Sequence, residues 1–367
     1  MTHPTRPSRH VLVVRLDSLG DMLVCGPAIR AVAAGADRLT VLSGPGGAAA
    51  AALLPGVDEV LVWDCPWIAG EPAAVDPVTI SGVVRRIEAL DVSEAVVLTS
   101  FHQSALPTAL VLRLAGVARI AAVSEDYPGS LLDVRLSPPD EAPEPVRMRA
   151  IAEGAGFPPP PGDDGRLAVR LPLPDVAALP RTPYLVVHPG VTAPARAYPQ
   201  YRWVELVRAL TRRGWPVLVT GTVAESDLTS ALASAAEPPR SALDCAGAHD
   251  LPALAAVLQG AAAVVVANTG PAHLAAAVGT AVVSLYAPVV PAQRWAPYGV
   301  PVALLGDQHA VCRDTRARVC PVPGHPCLAG VGAAEVVAAV ERLAGASLVG
   351  ASPGEASPFA AARKESA

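Results

Sequence analysis

The sequence predicts an α/β protein built as two doubly wound, Rossmann-like domains. Short β-branched and Leu-rich runs alternate with Ala- and Leu-rich stretches of helical length, the signature of repeated βαβ units. The alternation comes in two series separated by a Pro-rich stretch over residues 172–183. The length, 367 residues, suits two domains, and a 51% hydrophobic share supplies apolar surface for two cores.

The first series predicts strands over 11–16, 39–42, 59–62, 94–98 and 119–122, and the second over 184–188, 216–220, 263–267 and 281–285. The domains are therefore expected at 1–180 and 181–348, joined near residue 180, with a polar tail over 349–367 that has no periodic apolar face and reads as disordered. Residues 137–145 and 158–165 are Pro-rich and read as loops. From Leu251 to Gln293 there is no Asp, Glu, Lys or Arg, a length that raises the question of a membrane helix. Asn268, Thr269, Gly270, Pro271 and His273 interrupt it, so it reads as strand, turn, helix and strand buried in a parallel sheet.

The formal net charge is −5, from 28 basic and 33 acidic residues with no basic run, which argues against a nucleic-acid partner. Only Lys364 among the basic residues is a lysine, so any site that needs a cation must use arginine. Six cysteines are too dilute for a disulfide framework in a chain this long and read as reduced thiols of a cytoplasmic protein. The basic start is followed by an apolar run that Arg15 and Asp17 cut short, which fits a first strand better than a signal peptide.

Ligands of open α/β sheets sit beyond the carboxyl ends of the strands, and three such junctions carry unusual chemistry. At the first, the strand over 11–16 runs into Asp17-Ser18-Leu19-Gly20-Asp21, ahead of a helix expected over 22–34 with a kink at Pro27. Asp21, near a helix start, reads either as a capping acid or as a general base at the mouth of an inter-domain cleft, with Asp17 in reserve. Both carboxylates come from one loop, badly placed to flank a glycosidic bond as a hydrolase pair would.

At the second junction Arg196 stands on a small-residue loop after His188-Pro189-Gly190, ahead of a helix over 200–213. It reads as a solvated arginine or as a fork clamping a diphosphate, with Thr192 as an added donor. Glu225, after the following strand, is placed to accept ribose hydroxyls, although an acid in a first helical turn needs no ligand to explain it. At the third, Asn268-Thr269-Gly270-Pro271-Ala272-His273 opens a helix with Thr269 or Gly270 as cap and Pro271 in the first turn. Its free amides form a phosphate site, to which His273 either donates or stays a packed neutral histidine.

Together these segments resemble glycosyltransferase family 9, the ADP-heptose:lipopolysaccharide heptosyltransferase family, of the GT-B fold. Arg15-Leu16-Asp17-Ser18-Leu19-Gly20-Asp21 with Gly26-Pro27-Ala28-Ile29-Arg30 resembles the family's amino-terminal signature. His188-Pro189-Gly190 with Arg196 and Tyr198-Pro199 resembles its donor loop, and the block from Asn268 to Ala275 its most recognisable motif. The resemblance implies two domains facing across a cleft, and metal-independent, inverting transfer of a heptose from a nucleoside-diphosphate donor, ADP-heptose by analogy, with no cofactor. Asp21 would be the base. Thr192, Arg196 in place of the usual lysine, Glu225, Asn268, Thr269, Gly270 and His273 would hold the donor. Ser18 and Gly20 would face the acceptor, which is a glycan, a lipid-linked glycan or a small molecule; His102, after the strand over 94–98, reads either as a further acceptor contact or as a packed histidine. Asn268 stands where many members have Asp, which bears on any role needing a carboxylate. No membrane-spanning segment is expected, and peripheral contact with the inner face of the cell membrane is compatible with such an acceptor.

Three competing signals stand beside this reading. Gly44-Pro45-Gly46-Gly47-Ala48-Ala49 follows a strand in a G-x-G-x-x-A pattern, with Asp64 twenty residues beyond Gly44, as in nicotinamide-dependent enzymes. Cys312, Cys320 and Cys327 with His309 and His325 suggest a metal clip, but their spacings are not those of a zinc site. A sugar-nucleotide-binding protein without turnover is the non-enzymatic alternative.

Overall fold

The computed structural model describes residues 9–68, 72–100, 102–177 and 179–345; the expected tail over 349–367 lies outside them. The chain divides between Arg170 and Leu171 into two compact units.

The first unit holds β1 (His10–Arg15), β2 (Arg38–Ser43), β3 (Glu59–Val62), β4 (Glu94–Val97), β5 (Arg119–Val123) and β6 (Val134–Leu136). All are parallel, in the order β3-β2-β1-β4-β5-β6. The second holds β7 (Leu185–His188), β8 (Val217–Val219), β9 (Ala242–Asp244), β10 (Ala263–Ala267), β11 (Val282–Leu285) and β12 (Val302–Leu305), in the parallel order β12-β11-β10-β7-β8-β9. Each sheet reverses direction once, between β1 and β4 and between β7 and β10. Those are the switch points where helices leave to opposite faces and a crevice opens at the strand ends.

The central strands are buried along their whole length, as apolar runs in a sheet covered on both faces must be. Some covering helices bury one stripe, whereas helix Gly270–Ala277 is buried at every position from Ala272 to Ala277. Helix Gln200–Arg212 buries Trp203, Leu206, Val207 and Leu210 at spacings of three and four. Helix Leu251–Gln259, which fills the first part of the uncharged stretch, starts at Asp250, whose carboxylate accepts the Ala253 amide at 2.9 Å. Among the described residues no helix is long and apolar enough to cross a membrane.

One helix departs from expectation. Residues 19–34 form two helices, Leu19–Leu23 and Gly26–Ala34, instead of one kinked helix from residue 22. Pro27 lies in the first turn of the second, where its missing N–H and fixed φ cost nothing, so it starts a helix and bends none.

Close packing accounts for two glycines after β2, Gly44 of the G-x-G-x-x-A pattern and the neighbouring Gly47. A Cβ on Gly44 would lie 2.2 Å from the Leu16 carbonyl oxygen, and one on Gly47 would lie 3.2 Å from that of Asp17. The β2 loop thus packs directly against the β1 loop, and the small residues exist for that approach.

In the second unit, β7 ends in buried His188, whose Nδ1 lies 3.0 Å from the Thr220 hydroxyl at the end of β8. Burial pushes this imidazole down to about 4, against the opposing pull of Glu225, so it is neutral at physiological pH.

Two predictions follow from this packing. Gly44→Ala should lower unfolding free energy by about 1–3 kcal/mol through overpacking. Gly82→Ala, inside helix Pro77–Glu88 with nothing within 4 Å of its Cβ, should raise it by about 0.5–1 kcal/mol. Urea denaturation at pH 7 compares the two. The unfolded chain takes up a proton at His188 below about pH 6.5, whereas the native state resists until about 4. Its contribution is therefore complete above pH 6.5 and is lost as pH falls to 4, by roughly 3 kcal/mol at about 1.4 kcal/mol per unit. His188→Gln should flatten that part of the stability-against-pH curve measured by urea unfolding.

Candidate functional site

Two clusters of polar side chains stand at the switch points, one in each unit.

In the first unit, Arg15 ends β1 and is fully buried. Its Nε pairs with Asp17 Oδ2 at 2.8 Å, and its Nη2 donates to Ser100 Oγ at 2.8 Å and to Asp21 Oδ1 at 3.1 Å. Its Nη1 lies 3.6 Å from the Met148 sulfur. Burial opposes the charge, but Asp17, Asp21 and Glu144 outweigh it and hold the guanidinium above its ordinary pKa. Cys25 lies in the same interior, where burial pushes its thiol up to about 12 and leaves it inert.

Asp21 occupies the third position of helix Leu19–Leu23 and makes a reciprocal cap with Ser18. The Ser18 N–H and hydroxyl donate to Asp21 Oδ2 at 3.3 and 2.5 Å. The capping reading is thus realised, and it coexists with accessibility, since the side chain is 23% exposed. Asp17 is only 12% exposed; Gln103 Nε2 donates to its Oδ1 at 2.5 Å while Arg15 holds its Oδ2. Both oxygens of Asp17 thus have partners within the fold. Ser18 is exposed beside Asp21, Gly20 is buried beneath it, and His102 is exposed on the loop after β4.

In the second unit, Arg196 lies on a short helical turn, Pro194–Arg196, after β7. Its Nη1 reaches the Asn268 carbonyl oxygen at a long 3.4 Å, and its buried Nε meets no protein acceptor. Among the described residues no carboxylate forms an ion pair with it. Asn268 follows β10 and is 7% exposed; its Nδ2 donates to the Ala287 carbonyl at 3.4 Å, and its Oδ1 has no protein donor. Thr269 occupies the N-cap position of helix Gly270–Ala277, but its buried hydroxyl makes no cap bond and lacks a protein partner. His273, in the first turn, is buried. Buried Tyr286 completes the group: burial holds its phenol above the ordinary value, against the Arg196 charge and a hydrogen bond with Asn268.

Glu225 stands close by in the fold of the same unit. Its Oε2 accepts from the Thr222 N–H at 2.8 Å and hydroxyl at 2.9 Å, and a Cβ on Gly190 would lie 2.0 Å from its Oε1. The carboxylate therefore lies flat against the Gly190 backbone, with its Oε1 not used by the cap. Thr192 is exposed on the loop between Gly190 and Arg196.

Sequence reasoning gave no site role to Ser100, Gln103 or Tyr286, and it used Arg15 only as part of a motif and as a break in the first apolar run. Each stands at a strand end, but none has a neighbour in sequence that reveals its partner. The six cysteines are free thiols, and among the described residues no three His, Cys, Asp or Glu side chains are grouped to hold a metal ion.

The fold is shared with solved heptosyltransferases. The family 9 glycosyltransferase of Veillonella parvula matches with a TM-score of 0.74 at 16% identity, over 92% of this chain and 97% of that one. Escherichia coli heptosyltransferase WaaC, solved with ADP-2-deoxy-2-fluoro heptose, matches with a TM-score of 0.68 at 20% identity, over 91% and 99%. At such identities the likeness is one of fold, the GT-B fold. A 117-residue stretch is 39% identical to lipopolysaccharide heptosyltransferase 1 of Pseudomonas aeruginosa, covering 30% of this chain and 31% of that protein's length. Residues 105–325, more than half of the chain, match the family model for glycosyltransferase family 9 (heptosyltransferase), and the protein belongs to that family.

Proposed function

We propose that the protein transfers a heptose from ADP-heptose to a hydroxyl of a lipopolysaccharide-type acceptor, inverting the anomeric centre without a metal ion. The observation that carries this reading is the positive site at the end of β10. Arg196 has no carboxylate partner among the described residues and stands next to the amino end of helix Gly270–Ala277, where the Gly270 amide, the helix dipole and the Thr269 hydroxyl suit a phosphate. A diphosphate joins those groups with its charge met by protein donors, which removes the need for a divalent cation. Glu225 Oε1, pressed against Gly190, suits the ribose hydroxyls, with Thr192 at the loop edge and His273 in the first helical turn. The relatives solved or named with ADP-heptose and lipopolysaccharide support this donor and acceptor.

In this reaction the acceptor oxygen forms a bond to the anomeric carbon as the bond from that carbon to the diphosphate oxygen breaks. The acceptor proton passes to Asp21, the electron pair leaves with ADP, and Arg196 with the helix amides stabilises the departing charge. Ser18, Gly20 and His102 line the acceptor side of this proposal. The free thiols support a reducing, cytoplasmic setting, and a lipid-anchored acceptor fits peripheral membrane contact.

Calorimetric titration with ADP should show binding to the wild type and at least tenfold weaker binding to Arg196→Ala, about 1.4 kcal/mol. Unchanged affinity would remove Arg196 from the donor site. With ADP-heptose and heptose-free lipopolysaccharide, Asp21→Asn should keep ADP affinity while its rate of ADP release falls roughly 100- to 10,000-fold. EDTA should leave the wild-type rate unaltered, and NMR of the product should show the inverted anomer. Tight ADP binding with no release from the wild type would favour the binding-protein alternative.

A further inference from the structure

Arg15 is buried beyond the reach of any substrate, yet it touches the proposed base. Its guanidinium is held on several sides: Nη2 donates to Ser100 at 2.8 Å, Nη1 lies against the Met148 sulfur at 3.6 Å, and Nε, which makes no hydrogen bond, is ion-paired with Asp17 at 2.8 Å. Nη2 is shared with Asp21 Oδ1 at 3.1 Å. Asp17 is fixed in turn by Gln103 at 2.5 Å. The partners come from the β1 loop, the β4 loop and helix Glu144–Gly154, so the planar fork can neither rotate nor withdraw without breaking contacts to three segments. A planar, immobile donor fixes where its acceptor oxygen lies. Asp21 Oδ2 is meanwhile held by the Ser18 N–H and hydroxyl.

Each carboxylate oxygen has two lone-pair sites, so both can be anchored while one site remains for an incoming hydroxyl. Held at one oxygen by a helix cap and at the other by a fixed guanidinium, the carboxylate cannot swing about its χ angles. A positional error of an ångström is enough to cost two orders of magnitude in rate.

We infer that Arg15 is the positioning residue of the transfer reaction, fixing the Asp21 carboxylate through Nη2, with Asp17, Ser100 and Gln103 holding Arg15 itself in place. The inference rests on Asp21 being the base, and the experiment separates the two. Arg15→Met, Arg15→Lys, Ser100→Ala, Asp21→Asn and the double variant Arg15→Met/Asp21→Asn are assayed for ADP release from ADP-heptose with heptose-free lipopolysaccharide. ADP affinity and thermal melting monitor folding.

Arg15→Met should lower kcat at least 50-fold while acceptor KM and ADP Kd stay within threefold, and Arg15→Lys should recover at least tenfold of the loss. In the Asp21→Asn background, Arg15→Met should add less than threefold, because its effect passes through the carboxylate. Should Arg15→Met fail to fold, Ser100→Ala should give the same split with a five- to twentyfold fall in kcat. Crystals of the variants supply a readout independent of turnover: Asp21 Oδ1 should move by more than about 1 Å in the Met variant and hold its place in the Lys variant. An inactive Asp21→Asn beside Arg15→Met at wild-type kcat, losses that multiply in the double variant, or an unmoved Asp21 would overturn the positioning role alone. Wild-type kcat in Asp21→Asn would overturn the base assignment and this inference with it.

Discussion

Arg196 carries a positive charge that no carboxylate among the described residues neutralises, and it carries it beside the positive end of a buried helix. Its reach to the Asn268 carbonyl at 3.4 Å is long for a hydrogen bond, and its buried Nε has no protein acceptor. Two like charges held together in a partly dry setting are unfavourable, and an anion bridging them relieves that repulsion. Asn268 is consistent with this balance. Its amide adds no negative charge, whereas a carboxylate there would answer Arg196 from within. This imbalance is what the proposed diphosphate would relieve.

The first unit treats its strand-end arginine in the opposite way. Arg15 is surrounded by Asp17, Asp21, Ser100 and, more distantly, Glu144, and its charge is fully answered inside the fold. Such a buried network is costly to break, since removing one partner leaves another charge buried, although the Arg15 Nε itself makes no hydrogen bond. The close approach of the β2 loop, which Gly44 and Gly47 permit, backs the same loop from the other side. Asp21 is accordingly the exposed tip of an otherwise closed arrangement. One arginine is ion-paired with two carboxylates; the other has no carboxylate partner among the described residues.

Much of this was legible in the sequence. The central strands are continuous apolar runs such as Val11–Val14 and Val264–Val266, and a fully covered parallel sheet requires them. The strands that escaped notice, β6, β9 and β12, are three or four residues long and lie at sheet edges, where one neighbour suffices and mixed residues such as Val-Arg-Leu and Ala-Leu-Asp are tolerated. The helix break before Pro27 was visible as a proline, but whether it bends a helix or begins one depends on packing that no local pattern records. Within the site, the helix start at Thr269 and the cap at Asp21 were readable because capping is a local interaction. Arg15 with Ser100, and Glu225 against Gly190, were not, since each joins segments far apart in the chain. The only hint was that an arginine ending a buried apolar strand must find carboxylates, and Asp17 and Asp21 were the nearest.

The central claim is that the groups at the end of β10 receive a diphosphate, and diffraction from crystals grown with ADP tests it most directly. Diphosphate oxygens are expected within hydrogen-bonding distance of the Arg196 guanidinium and of the Gly270 amide that opens helix Gly270–Ala277. A nucleotide bound elsewhere, with Arg196 unmoved and in contact with none of its phosphates, would contradict it.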